Sequence, residues 1–532
     1  PGGGAPVDGQ VGQAQMALNI NALPVSISGI VEEFNVAPTT VGTAIVAYSL
    51  GVAGFIMLGA KLGQMFGSLK VFRLATLLLL IGVSIVTFSP SALWLIVGQL
   101  VCGLAAATIV PTLVVLIANN YRGKQQATAL GMLGSVQAAA TVTAFFMAGV
   151  IGDWLGWRYA FGLVIPFTFI VLVLAGKLKP IDPLPGIKID FVGVLLAASA
   201  IILVSFGFNN LNRWGLLTAG PNAPFDILGL SPATLMIVAG VIGLQLFLAW
   251  TQKREAAKLT PLLSLEVVDS RQERGAAFAM AMIVVLGNAM TFLAPLYIQM
   301  VQGRSSFDTA VAMIPYQLAV FTAAMLVVRY YQTYNPVQIA RAAFSLVGVG
   351  MAVLSVVMFN EWSNIFVVLG LIMVGIGQGA LVTLLFNVLV TSSPTERAGD
   401  VGALRGTVNN LSAGVGTALA GALVVGILSV NIHKAVVDHP ELPPSLVEQV
   451  NLDNLTFISN DRLETAMAAT TATPEQVKAA AQVNADARLR ALKLTFWILS
   501  LLSFLMIIPA RMLPSYRPGE LPPGPQPQGK PA

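Results

Sequence analysis

The sequence predicts an all-α, polytopic membrane protein with about fourteen transmembrane helices. Of its 532 residues, 56% are hydrophobic and 10% are charged, whereas about 25% of residues are charged in a typical soluble domain. The chain also contains 50 Gly and 30 Pro, which membrane helices tolerate because neighbouring helices satisfy the freed backbone groups. Charged residues cluster between long apolar runs. Most of the protein surface is therefore expected to face lipid.

The individual spans follow from one rule, since a helix needs roughly 20 mostly apolar residues to cross the hydrocarbon core. The runs that meet this rule cover residues 7–30, 38–60, 70–88, 91–118, 127–152, 157–176, 191–210, 234–252, 276–301, 308–328, 338–359, 363–390, 402–430 and 490–512. The first run is unusually polar for a span, which marks it for a role inside the protein rather than against lipid.

The basic residues predict the orientation, because Lys and Arg are enriched in cytoplasmic loops. One set of loops carries most of them, namely Lys61, Lys70, Arg73, Arg122, Lys124, Lys177, Lys179, Lys188, Lys253, Arg254, Lys258, Arg271, Arg274, Arg329, Arg341, Arg397 and Arg405. The opposite set carries Arg158, Arg213 and Arg304 in its short connections. The first set is therefore predicted to be cytoplasmic. An even number of spans then places both termini in the cytoplasm.

Several classes of function are excluded by the same composition. The net charge of +5 and the pI of about 9.3 are explained by the basic loops, so no nucleic-acid partner is predicted. The single cysteine, Cys102, lies in an apolar run, and His433 and His439 share one polar loop. No metal site and no cofactor are therefore predicted. The segment GVGTALAG at 414–421 lacks the Lys of a phosphate-binding loop, and no enzyme activity is expected.

Five short stretches, in order along the chain, carry a resemblance to a known family. They are IVAYSL at 45–50, GLAAA at 103–107 followed by Pro111, WRYAF at 157–161, YIQMVQG at 297–303 followed by Pro315, and RAG at 397–399. In content, order and spacing they resemble the fourteen-helix drug:proton antiporter branch of the major facilitator superfamily.

The resemblance implies two six-helix bundles around a central cavity, plus two inserted helices. The bundles would be residues 1–176 and 261–512, the second with a long outer loop at 431–489. Residues 177–260 would form a linker and the inserted pair, and residues 513–532 a disordered, Pro-rich cytoplasmic tail. The resemblance also implies a multi-pass protein of the bacterial inner (plasma) membrane. Binding sites in such folds lie between the halves, near the midplane.

The charged residues of the family pattern are mostly replaced here. The acid of the first span falls on Gln15, and the acid of the loop after the second span falls on Gln64. The Arg positions of the fourth and thirteenth spans fall on Gln99 and Asn409. Gln and Asn form hydrogen bonds but cannot carry a proton. These replacements predict a protein that keeps the fold without the usual proton machinery, and Asp8 is the one carboxylate predicted inside the first span as a coupling candidate.

Polar side chains inside the apolar runs are the candidates for lining the cavity, because Gln or Asn facing lipid is costly. Gln15 and Asn19 are four residues apart and share one helical face. The candidate substrate-binding residues are Gln15, Asn19, Gln99, Gln137, Asn288, Gln299, Gln317, Gln378, Asn387 and Asn409. For each of them, a hydrogen bond between helices is an equally good interpretation.

Three functions remain open at the level of the sequence. The first is transport of an amphipathic or hydrophobic small molecule, or a lipid, by alternating access and without the usual coupling carboxylate. The second is a conventional proton-coupled multidrug efflux antiporter. The third is a non-transporting subunit or scaffold, bound to a partner membrane or periplasmic protein. All three require the lipid bilayer.

Overall fold

The computed structural model describes residues 12–19, 22–23, 26–36, 38–304, 306–359, 365–438, 442–443, 445 and 460–515. The described chain is almost entirely helical, as predicted. Its first nine helices are α1 (12–19), α2 (Ile27–Phe34), α3 (Pro38–Phe66), α4 (Ser68–Thr87), α5 (Ala92–Asn120), α6 (Gly123–Phe146), α7 (Trp157–Ala175), α8 (Phe191–Trp214) and α9 (Pro232–Ala256). The other seven are α10 (Arg271–Val301), α11 (Asp308–Gln332), α12 (Pro336–Val357), α13 (Ile365–Ser392), α14 (Ala398–Asp438), α15 (Asn460–Ala468) and α16 (Pro474–Leu505).

Within these described ranges, twelve helices are long and apolar enough to cross a membrane, namely α3 to α5, α7 to α14 and α16. Helix α6 has 24 residues but is less apolar than these twelve. The first predicted span, 7–30, lies partly outside the described residues. The polytopic, all-α class is confirmed, and the number fourteen stays a prediction.

Local sequence explains where three of the helices begin. In each, the side chain of the residue before the first turn accepts a hydrogen bond from the backbone N–H three residues later. The side chain of that later residue accepts a hydrogen bond from the backbone N–H of the first. The pairs are Ser270 with Glu273 for α10, Asn335 with Gln338 for α12 and Thr473 with Gln476 for α16. Helices α12 and α16 also begin with Pro, whose missing N–H costs nothing at that position.

The helices form two bundles and one inserted pair. In the N-terminal bundle α5 packs against α3 and α4, and α4 against α7. In the C-terminal bundle α13 packs against α11 and α12, while α14 packs against α10 and α16. Helices α8 and α9 pack on each other, and α8 also contacts α3 and α14. The inserted pair therefore bridges both bundles along one side of the molecule.

The loops divide the molecule into two sides. The ends of the helices near the predicted basic loops are called the basic side below, and the opposite ends are called the far side. On the far side, Arg158 of the WRYAF stretch forms an ion pair of 2.8 Å with Glu33. It also donates to the carbonyl oxygens of Thr87 and Ser89, both at 2.8 Å. This motif residue therefore ties together the far-side ends of α2, α4 and α7.

The two bundles meet along two seams. One is formed by α3 and α14, and the inserted helix α8 packs against both of them. The other is formed by α6 and α11, with α13 also contacting α6. Near the middle of this second seam, the Ser135 hydroxyl donates to the Phe321 carbonyl at 2.9 Å. A Cβ atom added to Gly131 would lie 2.7 Å from the Ala324 carbonyl oxygen, so the helices are in close contact there.

A small hairpin stands on the far side of the C-terminal bundle. It consists of α15 and the first part of α16, residues 474–488, held by a cluster that includes Leu463, Met467 and Val483. Arg488 is 2% exposed and donates to the Met300 carbonyl at 2.7 Å and to Asn460 Oδ1 at 2.9 Å. This helical part of the outer loop is therefore continuous with the last membrane helix and is anchored to α10.

Candidate transport pathway

A buried ionic cluster joins the two bundles at the basic side. Lys61 Nζ of α3 lies 3.0 Å from Asp400 Oδ1 of α14, and both side chains are 0% exposed. Gln64 Nε2 donates to Asp400 Oδ2 at 3.2 Å, while Gln64 Oε1 accepts from Lys61 at 3.0 Å. Arg397 Nη1 approaches Asp400 at 3.9 Å. Because one charge comes from each bundle, the pair can exist only while the basic side is closed.

Small residues of α14 allow this close approach. A Cβ atom at Gly399 would lie 3.2 Å from Gln64 Nε2, and one at Gly402 would lie 2.9 Å from the Cα atom of Pro111. A Cβ atom at Gly406 would collide with the side chain of Ile56. Glycine at these three positions therefore permits the close contact of α14 with α3 and α5 of the other bundle.

A buried arginine lies beside this contact. The guanidinium of Arg405 stacks on the ring of Phe386 of α13, with 4.0 Å from its central carbon to the ring centroid. Arg405 is 6% exposed, and its Nε has no acceptor in the part of the chain that the structure describes. Asn409, one turn further along α14, is half-buried and its Oδ1 has no donor. Asn387, next to Phe386, is 2% exposed. These groups form a polar region at the basic-side end of α13 and α14.

The assignment of Lys61 and Arg405 to loops was wrong. Both lie within helices, Lys61 near the end of α3 and Arg405 as the eighth residue of α14. Their burial reflects contacts with residues distant in sequence, which a count of apolar residues cannot detect. Asp400 was not a predicted site residue either. The one local signal was an acid directly after the RAG stretch, at the start of an apolar run.

The predicted polar residues of the N-terminal bundle form two separate contacts. Asn19 Nδ2 donates to Gln99 Oε1 of α5 at 3.5 Å, and both residues are buried. Gln15 is 0% exposed, and neither of its side-chain polar atoms has a hydrogen-bond partner among the described residues. Gln137 of α6 is exposed and accepts from Gln13 Nε2 at 3.3 Å. The structure therefore groups Asn19 with Gln99, and Gln137 with Gln13.

The C-terminal bundle brings a second group together. The Tyr316 hydroxyl donates to Gln378 Oε1, and the Gln378 side chain packs directly against Gly287 of α10. Asn288, beside that glycine, donates to the Val284 carbonyl of its own helix at 2.9 Å. Gln299 is half-buried in the last turn of α10. Asp8, the predicted coupling candidate, lies outside the described residues.

An apolar cleft opens in the α6–α11 seam towards the far side. The empty space of about 370 Å³ at this cleft includes space that is open to the surroundings. Val142 and Phe146 of α6 form one wall, and Ala310, Val311, Met313, Ile314 and Gln317 of α11 form the other. Among the described lining residues, Gln317 is the one with a polar side chain. The helices of this seam are therefore in contact at Ser135 and Phe321. Two turns further along α6, around Val142, the cleft lies between them.

The chain matches known membrane transporters over most of its length. The family model described as Major Facilitator Superfamily matches residues 11–417. Among curated relatives, the drug efflux pump JefA of Mycobacterium tuberculosis is 24% identical over 459 residues, which cover 84% of this chain and 85% of that protein. The quinolone resistance protein NorB of Staphylococcus aureus is 24% identical over 411 residues, covering 76% of this chain and 83% of that protein.

Solved structures agree in fold at low sequence identity. The human organic anion transporter TETRAN aligns over 94% of this chain and 98% of its own, with a TM-score of 0.59 and 12% identity. The proton:xylose symporter XylE aligns over 95% of this chain and 94% of its own, with a TM-score of 0.57 and 11% identity. Together with the two bundles and the inserted pair, these matches identify the chain as a membrane transporter that belongs to the Major Facilitator Superfamily.

Proposed function

We propose that this transporter exports an amphipathic or hydrophobic small molecule, or a lipid, by alternating access. The observation that carries the proposal is the contrast between the two sides of the bundle interface. The bundles are in contact at the basic side around Lys61 and Asp400, and an apolar cleft lies between α6 and α11 at the far side. This is the arrangement of a carrier open to the far side, and rocking of the bundles would expose the other side.

The character of the cleft supports a substrate with a large apolar part. Apart from Gln317, its walls consist of Val, Phe, Ala, Met and Ile side chains. Phe146 and Val311 are also 48% and 44% exposed, so the apolar lining continues onto the outer surface of the seam. Relatives named as a drug efflux pump and a quinolone resistance protein support export as the direction.

The direction depends on the predicted orientation, with the basic side in the cytoplasm. Single cysteines at Lys258 and Lys478, each in a Cys102→Ala background, test it with a membrane-impermeant thiol reagent on intact cells. The expected result is that Lys478→Cys labels in intact cells, and Lys258→Cys labels only after the membrane is opened. The reverse labelling pattern would place the basic side outside the cell, and the proposed direction of transport would then be import.

Coupling to protons is the second candidate, and one observation favours it. Asp400 is a fully buried carboxylate at the bundle interface, and a carboxylate that is paired in one state and exposed in the other can exchange a proton. In our proposal the carrier runs without proton coupling, because the family positions for the usual acids hold Gln15 and Gln64. A rise in transport under an imposed pH gradient, lost in Asp400→Asn, would favour the antiporter instead.

Reconstitution in liposomes tests transport itself, with a cross-link as the control. A Cβ atom at Gly399 would lie 3.4 Å from Val115 Cγ2, so Gly399→Cys with Val115→Cys, in the Cys102→Ala background, suits a disulfide across the basic side. Fluorescent acidic, neutral and basic amphiphiles serve as probes. We expect movement of at least one probe, which stops on oxidation and returns on reduction. Transport that is indifferent to the cross-link, or no transport of any probe, would contradict the proposal.

A further inference from the structure

We propose that Arg405 binds an acidic group of the transported molecule, so that the substrate is an anionic amphiphile. This inference rests on the proposed transport function, which it makes more specific. It names a chemical class of cargo, a carboxylate, phosphate or sulfate attached to an apolar body, and the residue that recognises it.

The burial of an unpaired guanidinium carries the inference. Arginine stays protonated in proteins, and a buried cation without a counter-charge is costly. The other basic residues of this region have acidic partners: Lys61 pairs with Asp400 at 3.0 Å, and Arg397 pairs with Glu266 at 3.1 Å. Among the described residues, no carboxylate forms an ion pair with Arg405. The site therefore has a surplus positive charge that no described residue neutralises.

The position of Arg405 places this charge on the transport route. Arg405 immediately precedes Gly406 and follows Gly402 by three residues, and both glycines contact the opposite bundle. It thus lies beside the interface that must open when the basic side is exposed. In the closed state the ring of Phe386 supports the guanidinium, and such stacking compensates a cation in part. Opening of the basic side would free the same group for an incoming anion.

Neighbouring polar atoms suit an anionic head group. Asn409 lies one turn from Arg405 on the same face of α14, and its side-chain amide can donate a second hydrogen bond. The Arg405 Nε has no acceptor in the closed state, which leaves the guanidinium free to bind a carboxylate or phosphate through two N–H groups.

The test compares two probes that differ in one charge. Dansylaminoundecanoate and its methyl ester are titrated at neutral pH into the protein in phosphatidylcholine nanodiscs, and protein-free nanodiscs give the background. Wild-type protein is expected to bind the carboxylate more tightly than the ester. Arg405→Gln should weaken binding of the carboxylate by about 30-fold or more, since losing one partner of a desolvated charge pair costs at least about 2 kcal/mol. Binding of the ester should not change.

Arg341→Gln is the matched control. Arg341 is the sixth residue of α12, which packs on α13 and α16 of its own bundle, and it is half-buried. Its replacement should leave the affinity of both probes unchanged, whereas Arg405→Lys should keep part of the preference for the acid. The preference of the wild-type protein tests the idea even if Arg405→Gln does not fold. Equal binding of the two probes by wild type, or an equal loss of both in Arg405→Gln, would overturn the inference.

These outcomes separate the inference from the proposed function. A protein that moves basic or neutral amphiphiles in liposomes, and shows no preference for the carboxylate, is a transporter with a different cargo. In that case the inference fails and the proposed function stands. A protein that binds the carboxylate through Arg405 but moves no probe keeps the anion site and loses the proposed function.

Discussion

The two seams between the bundles are built differently. The α3–α14 seam carries the buried Lys61–Asp400 pair, and the inserted helix α8 packs against both of its helices. Within the described ranges, α8 and α9 make no comparable contact with α6 or α11, and the α6–α11 seam contains the apolar cleft at its far side. The difference indicates that exchange with the lipid is restricted to one seam. The inserted pair would keep the other seam covered from lipid, whereas the ionic cluster would hold it closed only while the basic side is closed.

The largest expected effect comes from removing one charge of the α3–α14 seam. Asp400→Ala leaves the buried Lys61 without a counter-charge, with Gln64 as its remaining partner. Lys61→Ala leaves the buried Asp400 with Gln64 and the more distant Arg397. Each change should destabilise the closed basic side by about 3–5 kcal/mol, because an unpaired buried charge is costly. The readout is the labelling rate of a cysteine placed at Val115 in a Cys102→Ala background, which should rise.

The double variant Lys61→Met with Asp400→Leu is the control for that prediction. Replacing a buried ion pair by apolar side chains of similar size is often neutral or stabilising. Its labelling rate should therefore stay much closer to that of the parent. If both single variants label as slowly as the parent, the pair does not hold the basic side closed, and the contrast between the seams loses its main support.

Overpacking of α14 should produce the next largest effect. Gly402→Leu places a side chain against the backbone of Pro111, so the helices of the two bundles must separate. A destabilisation of the closed state by about 1–3 kcal/mol is expected, visible as faster labelling at Val115. Gly426 lies on the same helix, and a Cβ atom there meets nothing within 4 Å. Gly426→Leu should therefore behave like the parent, and a similar effect of both variants would point to a general defect of α14.

Filling the cleft tests the α6–α11 seam on its own. Val142→Trp adds bulk to one wall of the cleft, so transport of an amphiphilic probe in liposomes should fall several-fold. Labelling at the basic side should not change, because Val142 lies two turns from the Ser135 contact. Val173, on the surface of α7, is 53% exposed and supplies the control Val173→Trp. Unchanged transport in Val142→Trp would show that the substrate does not use this seam.

The smallest effect on stability is expected at Gln15. Its amide is fully buried without a hydrogen-bond partner, so Gln15→Leu removes polar atoms that already lack a bond. Stability should change by no more than about 1 kcal/mol in either direction. Asn19→Leu breaks the contact with Gln99 and should cost more. A large loss of probe binding in Gln15→Leu, at unchanged thermal stability, would support the predicted role of Gln15 in the cavity.

The sequence predicts the helices well and the contacts between them poorly. Apolar runs of about 20 residues locate the spans, because the bilayer imposes that length on each helix independently. Helix α3 runs to Phe66, beyond the predicted end at residue 60, since Lys61 and Gln64 are satisfied by Asp400 across the interface. Nothing local to α3 indicates such a partner.

The candidate site shows the same limit. Polar residues inside apolar runs were identified one by one, and burial was expected for each. The partner of Asn19 is 80 residues away, and that of Gln13 is 124 residues away, so helical spacing cannot pair them. Arg405 was counted with the basic loop residues that predict the orientation, although it lies inside the predicted span 402–430. Its burial depends on Phe386 of another helix and on the glycines beside it.

The far-side hairpin has a practical consequence for imaging. Helix α16 runs without interruption from the hairpin into the membrane, and Arg488 fixes the hairpin to the end of α10. An antibody fragment bound to α15 would therefore be held rigidly to one bundle. It would add recognisable mass outside the lipid to a chain of 55.8 kDa, which aids particle alignment in electron microscopy. Because the fragment would tilt with that bundle, its angle to the membrane would report the conformation of each single molecule.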